Sequence, residues 1–417
     1  MTMAQKVRRI AILHYAAPPV VGGVETTIGA HARYLDARGF RVRLLAGNKH
    51  DLGPTVEAGV APEFGSRGLE LDAVNRELNR GVISVDFENL VQRQESLLTE
   101  NLVQCDLLIV HNALTLHKNL ALTCALHRLH QAGRLPPLIA WCHDFAWTDP
   151  VYSADLHDGE PWQLIRTAWS GVRYVVVSAS RQDQLASLLG LGRPDIHVIN
   201  PGIDIRAFLK LEQRTTELVE RTGLHRAEPL LLLPARITRR KNIELAIDIL
   251  AALRDMVPNP KLVITAPLGP HNPSNVAYLE SLYNHVKAAR CEEEILFLSE
   301  YCRDADDSGD IPDSVVADLY RLADALLFPS SAEGFGIPLL EAGLSGLPIF
   351  CADIPVLREI APRADLLFSL DDRPESIARG IAGVLATDTR YQLRHRVRSE
   401  YDWSTICQTY LLPLVNS

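Results

Sequence analysis

The sequence FPSSAEGFGIPLLEA, residues 328–342, places a glycine-bearing loop between an apolar run that ends at Phe328 and a segment with the composition of a helix. Pro338 is typical of a first helical position, where its missing N–H breaks no hydrogen bond. The glycines Gly334 and Gly336 let a ligand approach the backbone closely. Because a helix N-terminus carries unpaired N–H groups and the positive end of the helix dipole, the stretch predicts a phosphate-binding site.

Two carboxylates accompany this loop, Glu333 within it and Glu341 one turn into the predicted helix. Carboxylate oxygens accept hydrogen bonds from hydroxyl groups, so the pair suits the hydroxyls of a sugar and of a ribose. Phe335 and Ile337 lie between the two carboxylates and are assigned to the same ligand-binding loop. A plainer alternative is that Glu341 only complements the helix dipole and that Glu333 is a solvated turn residue.

A second group of charges lies in the sequence PARITRRKN, residues 234–242, between a buried-strand pattern and a helix pattern. These cations suit phosphate chemistry, because a leaving phosphate gains negative charge in the transition state and preorganised cations stabilise that charge. Arg236 offers a planar fork and Lys241 a point charge. The alternative is a basic surface turn capped by Asn242, and we expect it to describe Arg239 and Arg240.

Short apolar runs alternate with amphipathic segments along the whole chain, which is the pattern of parallel strands joined by crossover helices. We therefore predict an α/β protein with two sheets and a hinge just after Pro201. The expected domains are residues 1–201, residues 202–390 and a terminal helix, residues 391–417, that packs back on the first domain. Residues 303–312 are acidic and are expected to form a surface loop. The ten runs expected to be strands are 10–14, 42–46, 107–110, 138–141, 174–177, 230–234, 262–265, 295–298, 325–328 and 348–351.

The bulk composition excludes several classes of protein. The 417 residues carry a net charge of −9 and are 47% hydrophobic, which argues against nucleic-acid binding and against disorder. The sequence contains no run of about 18 apolar residues, which is the length needed to span a membrane. The seven cysteines form no CxxC pair and are expected to be reduced, without zinc. These features predict a cytoplasmic protein, and a homo-oligomer is compatible with them.

The spacing of Glu333 and Glu341, with seven residues between them, resembles the E-x7-E signature of glycosyltransferase family four. Gly346-Leu347-Pro348 and Pro355-Val356-Leu357-Arg-Glu359 extend the likeness, which is densest from Leu230 to Glu359. The resemblance implies the GT-B architecture, with two Rossmann-like domains whose parallel sheets face each other across a cleft. It also implies retention of anomeric configuration without a metal or any other cofactor.

The resemblance also assigns roles to individual residues. It implies that Arg236 and Lys241 contact the diphosphate of a nucleotide-sugar donor and that Glu333 orients the sugar hydroxyls. His143, which follows the predicted strand 138–141, is implied to bond the donor sugar near the reacting carbon. Gly22 and Gly23 resemble the glycine-rich loop of the family, although a simple tight turn would also need glycine. The predicted catalytic residues are His143, Glu333, Arg236 and Lys241. The predicted donor-binding residues are Gly22, Gly23, Arg236, Lys241, Glu333, Gly334, Phe335, Gly336, Ile337 and Glu341.

The acceptor is harder to predict than the donor. Polar and aromatic residues near strand ends are candidates for its pocket: His111, Asn112, Asp144, Trp147 and Tyr152. The helix pattern 24–38 lacks the basic, apolar face of a membrane-docking helix. We therefore expect hexose transfer from GDP-mannose or UDP-glucose to a small soluble sugar, sugar acid or phosphosugar. A lipid or polysaccharide acceptor is the alternative.

Three other functions remain open at this point. Asp304 and Asp306 form a DxD sequence that could bind Mg²⁺ or Mn²⁺ in a metal-dependent transferase. The chain could instead be a nucleotide-sugar-binding module that has lost its catalytic activity. The presence of four charged residues argues against such a loss: Glu333, Glu341, Arg236 and Lys241. A nicotinamide oxidoreductase is disfavoured because Gly22 and Gly23 do not form a GxGxxG fingerprint.

Overall fold

The computed structural model describes residues 8–265, 274–306 and 311–417, with the side chains of 274, 275 and 303–306 outside the description. The described chain divides into two compact units. Unit 1 comprises residues up to Gly202 together with Trp403–Ser417, and unit 2 comprises Ile203–Asp402.

Unit 1 contains a parallel sheet of seven strands in the order β3-β2-β1-β4-β5-β6-β7. Its central strands are buried apolar runs, as both faces of a parallel sheet require. Ile10 pairs with Val42 on one side and with Leu107 on the other. The strands are β1 Arg9–Leu13, β2 Arg41–Ala46, β3 Glu57–Val60, β4 Leu107–His111, β5 Leu138–Cys142, β6 Arg173–Val176 and β7 Ile196–Val198.

Helices cover this sheet and bury their apolar faces on it. Side-chain oxygens of Ser84, Asn119 and Ser178 accept hydrogen bonds from first-turn N–H groups and so fix the starts of three helices. The α-helices are α1 Gly23–Ala37, α2 Leu69–Leu78, α3 Val85–Asn101, α4 Leu120–Gln131 and α5 Ala179–Leu189. Short 3₁₀ helices span Pro62–Phe64, Ala146–Thr148, Pro150–Asp155, Trp162–Arg166 and Arg193–Asp195.

Unit 2 contains a second parallel sheet, of six strands, in the order β10-β9-β8-β11-β12-β13. Its strands are β8 Leu230–Leu233, β9 Lys261–Ile264, β10 Ile295–Phe297, β11 Ala325–Phe328, β12 Ile349–Ala352 and β13 Leu366–Phe368. Its α-helices are α6 Ile205–Leu209, α7 Gln213–Thr222, α8 Ile243–Leu253, α9 Ser274–Ala289, α10 Leu298–Asp306, α11 Asp313–Leu322, α12 Ile337–Leu344, α13 Pro355–Ile360, α14 Pro374–Thr387 and α15 Thr389–Glu400, and 3₁₀ turns span Leu224–Arg226 and Arg239–Lys241. The two Rossmann-like sheets expected from the sequence are confirmed, one in each unit.

The sequence pattern did not reveal three strands, β3, β7 and β13. Each lies at the edge of its sheet and has only three or four residues. An edge strand has one neighbour and is partly solvated, so it lacks the continuous apolar run that marks a central strand.

The acidic run 303–312 was predicted to be a surface loop, and the structure corrects part of this prediction. Helix α10 continues to Asp306. Leu298 and Cys302 are four residues apart, so they lie on one face of this helix, and both are buried. Their burial stabilises the helix, which therefore includes the first of the acidic residues. Residues 307–310 lie outside the description.

The C-terminal segment divides between the two units. Helix α15 belongs to unit 2, where the buried guanidinium of Arg398 donates to both carboxylate oxygens of Asp324 at 2.6 and 2.5 Å. The residues after it form α16 Trp403–Ile406, a π-helical turn Cys407–Leu411 and α17 Leu412–Asn416 in unit 1. They are tied there by hydrogen bonds from Arg8 to Val415 O, from Tyr34 to Gln408 and from Arg173 to Leu414 O.

No helix among the described residues is long and apolar enough to cross a bilayer. No cysteine in the described part of the chain forms a disulfide.

A buried histidine makes unit 1 sensitive to acid. His31 on α1 packs against the rings of Trp141 and Trp403, and neither ring nitrogen has a hydrogen-bond partner among the described residues. Burial, together with the nearby His143, lowers the pKa of His31 to about 3. The unfolded chain therefore binds the extra proton below the usual pKa of about 6.5, so stability is complete above that pH and falls as the pH drops.

We expect His31→Leu to flatten this acid dependence. Between pH 7 and pH 5 one such histidine accounts for about 2 kcal/mol of the unfolding free energy. Urea titrations at both pH values should show that difference shrinking in the variant, while stability at pH 7 changes little because no hydrogen bond is lost. An unchanged pH dependence would contradict the burial argument.

Candidate functional site

Two loops of unit 2 meet at the carboxyl ends of the paired strands β8 and β11. The main chain joins them: Ser331 N–H donates to Arg240 O at 2.8 Å, and the Arg240 guanidinium donates to Ala332 O at 3.1 Å. The stretches 234–242 and 328–342, which the sequence analysis identified separately, are therefore neighbours in space. In parallel α/β sheets this edge is where ligands bind.

An ion-pair cluster is the centre of the two loops. Lys241 Nζ lies 2.5 Å from Glu333 Oε1, and Arg240 donates to Glu333 Oε2 at 2.7 Å. The Lys241 and Glu333 side chains are 8% and 7% exposed, and Lys241 Nζ also lies 4.6 Å from the centre of the Phe328 ring. Charges at this depth are strongly coupled because little water screens them.

The cluster keeps Glu333 ionised. Burial by itself raises the pKa of Glu333, but the hydrogen bonds from Lys241 and Arg240 outweigh burial and hold the pKa below its usual value. Burial lowers the pKa of Lys241, and the hydrogen bond to Glu333 partly opposes that change. A desolvated carboxylate and a desolvated ammonium thus adjoin a site suited to hydroxyls and phosphates.

The three arginines of the basic loop have different surroundings. Arg240 was expected to belong to a basic surface turn; it is exposed there, and its side chain also bonds the Glu333 carboxylate, a contact that the sequence did not indicate. Arg236 is exposed and makes no hydrogen bond or ion pair with the residues that the structure describes. Arg239 lies over the ring of Tyr278, 4.8 Å from its centre.

The backbone of the basic loop is shaped at Asn242 and at Ala235. Asn242 adopts φ +50°, the left-handed conformation in which asparagine is tolerated. Its side chain makes no cap hydrogen bond to helix α8, so the simple capped turn considered from the sequence is not what forms. Ala235 is held by a hydrogen bond from its N–H to Thr265 Oγ1 at 3.0 Å.

Helix α12 begins at Ile337, one residue before the position predicted for its start, so Pro338 is its second residue. Gly336 precedes the helix at φ +98°. A Cβ atom at this glycine would lie 2.8 Å from Leu357 Cδ2. The dihedral therefore favours glycine strongly, and a methyl group there would also displace the Leu357 side chain. Gly334, Phe335 and Ile337 are exposed beside this helix start.

We expect Gly336→Ala to destabilise unit 2 by about 1–3 kcal/mol, because a left-handed alanine is strained and its methyl group meets Leu357. Gly343→Ala is the matched control, since Gly343 lies within the same helix and a Cβ there would meet nothing within 4 Å. The control should gain about 0.5–1 kcal/mol in helix propensity. Urea unfolding of both variants checks the pair, and equal effects would contradict the assigned role of Gly336.

Glu341 has a partner that no sequence pattern indicated. The hydroxyl of Tyr320 on helix α11 donates to Glu341 Oε2 at 2.6 Å. Tyr320 is buried, and burial followed by the hydrogen bond to Glu341 raises its pKa, so the hydroxyl stays protonated and acts as a donor. Glu341 is itself exposed, and its other oxygen remains available to a ligand.

The N-terminal candidates lie at the carboxyl ends of β4 and β5 in unit 1. His143 is 8% exposed, and its Nε2 lies 3.1 Å from Nδ1 of the fully buried His111. Asn112, at φ +60°, accepts hydrogen bonds through Oδ1 from the N–H groups of His143 and Asp144 at 2.8 and 3.2 Å. His111 and Asn112 therefore face inward and support the turn that carries His143.

The glycine pair precedes and begins helix α1. Gly22 is extended, and a Cβ atom there would lie 2.1 Å from the Glu25 carboxylate. Glu25 Oε1 lies 3.7 Å from His14 Nε2, so the space that Gly22 leaves is taken by a carboxylate directed at a histidine. Around Gly23 a Cβ would meet nothing within 4 Å.

The other acceptor candidates lie nearer the surface of unit 1. Asp144 is exposed and pairs with Arg181 at 3.3 Å. Trp147 is half-buried; its Nε1 donates to Trp162 O at 3.1 Å, and Arg166 covers its ring. Tyr152 is also half-buried, against the ring of His117.

No group of three or more metal-binding side chains occurs within the described residues. The side chains of Asp304 and Asp306, the DxD candidate, lie outside the description.

Comparisons with known proteins agree with the two-unit division. Residues 21–207 match the family model described as Glycosyltransferase Family 4, and residues 215–400 match the one described as Glycosyl transferases group 1.

Relatives with curated names show partial similarity. The chain is 41% identical over 96 residues to the serotype-specific mannosyltransferase WbdA of Escherichia coli, covering 23% of this chain and 11% of the relative. It is 30% identical over 223 residues to the D-inositol 3-phosphate glycosyltransferase of Jonesia denitrificans, covering 52% and 48%. It is 25% identical over 235 residues to the mannosylfructose-phosphate synthase of Agrobacterium fabrum, covering 55% and 49%. The matches thus span half or less of these relatives.

One assignment follows from three observations. They are the two parallel sheets, the carboxylate pair beside its basic loop, and the two family models, which match non-overlapping stretches of the chain. The chain belongs to glycosyltransferase family four.

Proposed function

We propose that this protein is a retaining glycosyltransferase that moves a hexose from a nucleoside diphosphate sugar to a hydroxyl of a small soluble acceptor. The observation that carries the proposal is the buried Lys241–Glu333 pair, with Arg240 beside it, at the start of helix α12. Few ligands other than a phosphorylated polyol need an ammonium, a carboxylate and a helix N-terminus together.

Each charged group has a part in holding the donor. Lys241 and the exposed Arg236 bind the diphosphate, and the helix N-terminus adds its N–H groups. Glu333 accepts hydrogen bonds from the sugar hydroxyls, and Glu341, steadied by Tyr320, accepts from the ribose. When the diphosphate draws Lys241 towards itself, Arg240 keeps Glu333 ionised.

The chemical step breaks the bond from the anomeric carbon to the phosphate oxygen and forms a bond to the acceptor oxygen on the same face. The acceptor proton passes to the leaving phosphate. Lys241 and Arg236 stabilise the negative charge that develops on this phosphate. Because that interaction is stronger in the transition state than in the ground state, it raises kcat, which equal binding of both states would not do. His143 contributes a hydrogen bond to the sugar, and the proposed step needs no metal.

Two features support a small acceptor. The D-inositol 3-phosphate glycosyltransferase and the mannosylfructose-phosphate synthase both carry the name of a small phosphorylated compound. In helix α1, whose sequence lacked a membrane-docking face, His31 is fully buried, which leaves Arg33 on the helix and Arg38 just after it as exposed basic side chains. GDP-mannose and UDP-glucose are the donors to be compared.

A thermal-shift panel of nucleoside diphosphates and their sugars tests the proposal first, because a ligand that binds the folded state raises Tm by mass action. The stabilising donor is then incubated with sugars, sugar acids and phosphosugars, with and without a chelator, and the anomeric configuration of the product is read by NMR. A retained anomer formed in chelator supports the proposal. An inverted product, a metal requirement, turnover only with lipid or polysaccharide, or binding without turnover would each overturn the corresponding part.

A further inference from the structure

Three histidines of unit 1 follow one another across the carboxyl edge of its sheet. His14 follows β1, His111 ends β4 and His143 follows β5, and these strands are neighbours. His14 Nδ1 lies 3.0 Å from His111 O, and His111 Nδ1 lies 3.1 Å from His143 Nε2. A carbonyl oxygen only accepts, so His14 carries a proton on Nδ1 and holds the strand end that bears His111.

The contact between His111 and His143 involves two neutral rings at neutral pH. Burial lowers the pKa of His143 to about 3, and burial followed by the charge of His143 lowers the pKa of His111 well below its usual value. Each neutral imidazole carries one N–H and one lone pair. One ring must therefore donate and the other accept.

The surroundings of His111 decide which ring donates. His111 Nε2 is buried and has no hydrogen-bond partner among the described residues, and the ring stacks on Trp141 at an interplanar angle of 19°. If His143 donated, His111 would carry its proton on Nε2 as an orphaned buried N–H. Orphaned N–H groups are rarer in proteins than under-used acceptors, so the arrangement with His111 donating from Nδ1 is favoured.

We propose that His111 is a positioning residue that donates Nδ1–H to Nε2 of His143 and so fixes the proton of His143 on Nδ1. That Nδ1 has no partner among the described residues, and it is not among the buried unpartnered atoms, so it retains accessible surface. His143 thus offers a ligand an N–H donor and not a basic lone pair.

The consequence for substrate rests on the proposed function. A donor at Nδ1 suits an oxygen lone pair of the hexose, and it removes His143 from the role of general base. The arrangement agrees with a mechanism in which the leaving phosphate takes the acceptor proton.

The direct test is the tautomer of His143 in the full-length protein without substrate. Two-bond ¹H–¹⁵N correlation spectra of ¹⁵N-histidine-labelled protein distinguish the Nδ1–H and Nε2–H forms, and the His143 signals are those lost in His143→Asn. We expect the Nδ1–H pattern at neutral pH. An Nε2–H pattern would overturn the proposal whether or not the protein transfers sugar, and a failure of sugar transfer leaves this readout intact.

Variants of His111 test its part in setting the tautomer. His111→Asn retains an amide donor near the position of Nδ1 and should preserve the His143 pattern, whereas His111→Leu should release His143 into the other tautomer or a mixture. If His111→Leu does not fold, the wild-type spectrum still decides the tautomer. A folded His111→Leu protein with an unchanged His143 pattern would show that His111 does not set it.

Activity gives a second readout once a donor is known. In His143→Asn the amide can replace Nδ1–H, while in His143→Gln it replaces Nε2. We expect His143→Asn to keep at least tenfold more kcat/KM than His143→Gln. The reverse order would contradict donation from Nδ1.

Discussion

Replacing Glu333 with glutamine is expected to lower kcat/KM for hexose transfer by a factor of about 10²–10³, the range found when one preorganised polar contact to a transition state is removed. The amide has nearly the same shape as the carboxylate, but it cannot accept charge-assisted hydrogen bonds at both terminal atoms. Lys241 also loses its buried counterion, 2.5 Å away. Initial rates over a range of donor concentrations measure the effect.

Glu375→Gln is the control for this variant. Glu375 is exposed in the first turn of helix α14, in the same unit, and it makes no ion pair with the residues that the structure describes. Its kcat/KM should match that of the wild type. If Glu333→Gln remains folded and retains full kcat/KM, the assignment of the donor site to this loop is wrong.

Arg398→Met is expected to produce the largest loss of stability, about 3–5 kcal/mol, because it removes one partner of a buried ion pair. Asp324 is 3% exposed and accepts from Arg398 and from Leu230 N–H at the start of β8. Without the Arg398 guanidinium the buried carboxylate keeps one hydrogen-bond donor, the Leu230 N–H, and a more distant charge partner, Arg394, 3.8 Å away. Urea titration measures the free energy of unfolding.

Arg396→Met separates this burial effect from the loss of an arginine in general. Arg396 lies on the same helix and pairs with Glu400, and both side chains are more than half exposed. Such an exposed pair contributes little to stability because water and salt screen it. Similar losses in the two variants would contradict the dominant role of the buried pair.

The sequence determined the two parallel sheets and their central strands. Buried runs such as Leu230–Leu233 and Leu107–His111 are apolar because a parallel sheet is covered on both faces. This requirement is visible in the local sequence of each strand. It also marked the glycine loop before α12, since a left-handed Gly336 leaves a local signature. The edge strands β3, β7 and β13 carried no such signature and were missed, whereas the edge strand β10 was predicted.

Tertiary structure alone decided which side chains meet. The Glu333 carboxylate bonds Arg240 as well as Lys241, although Arg240 reads as one more surface cation. Tyr320 reaches Glu341 from another helix, and His111 reaches His143 from a neighbouring strand, 32 residues away in the chain. Local patterns record the periodicity of burial, whereas hydrogen bonds between distant residues depend on strand order and register, which are properties of the folded sheet.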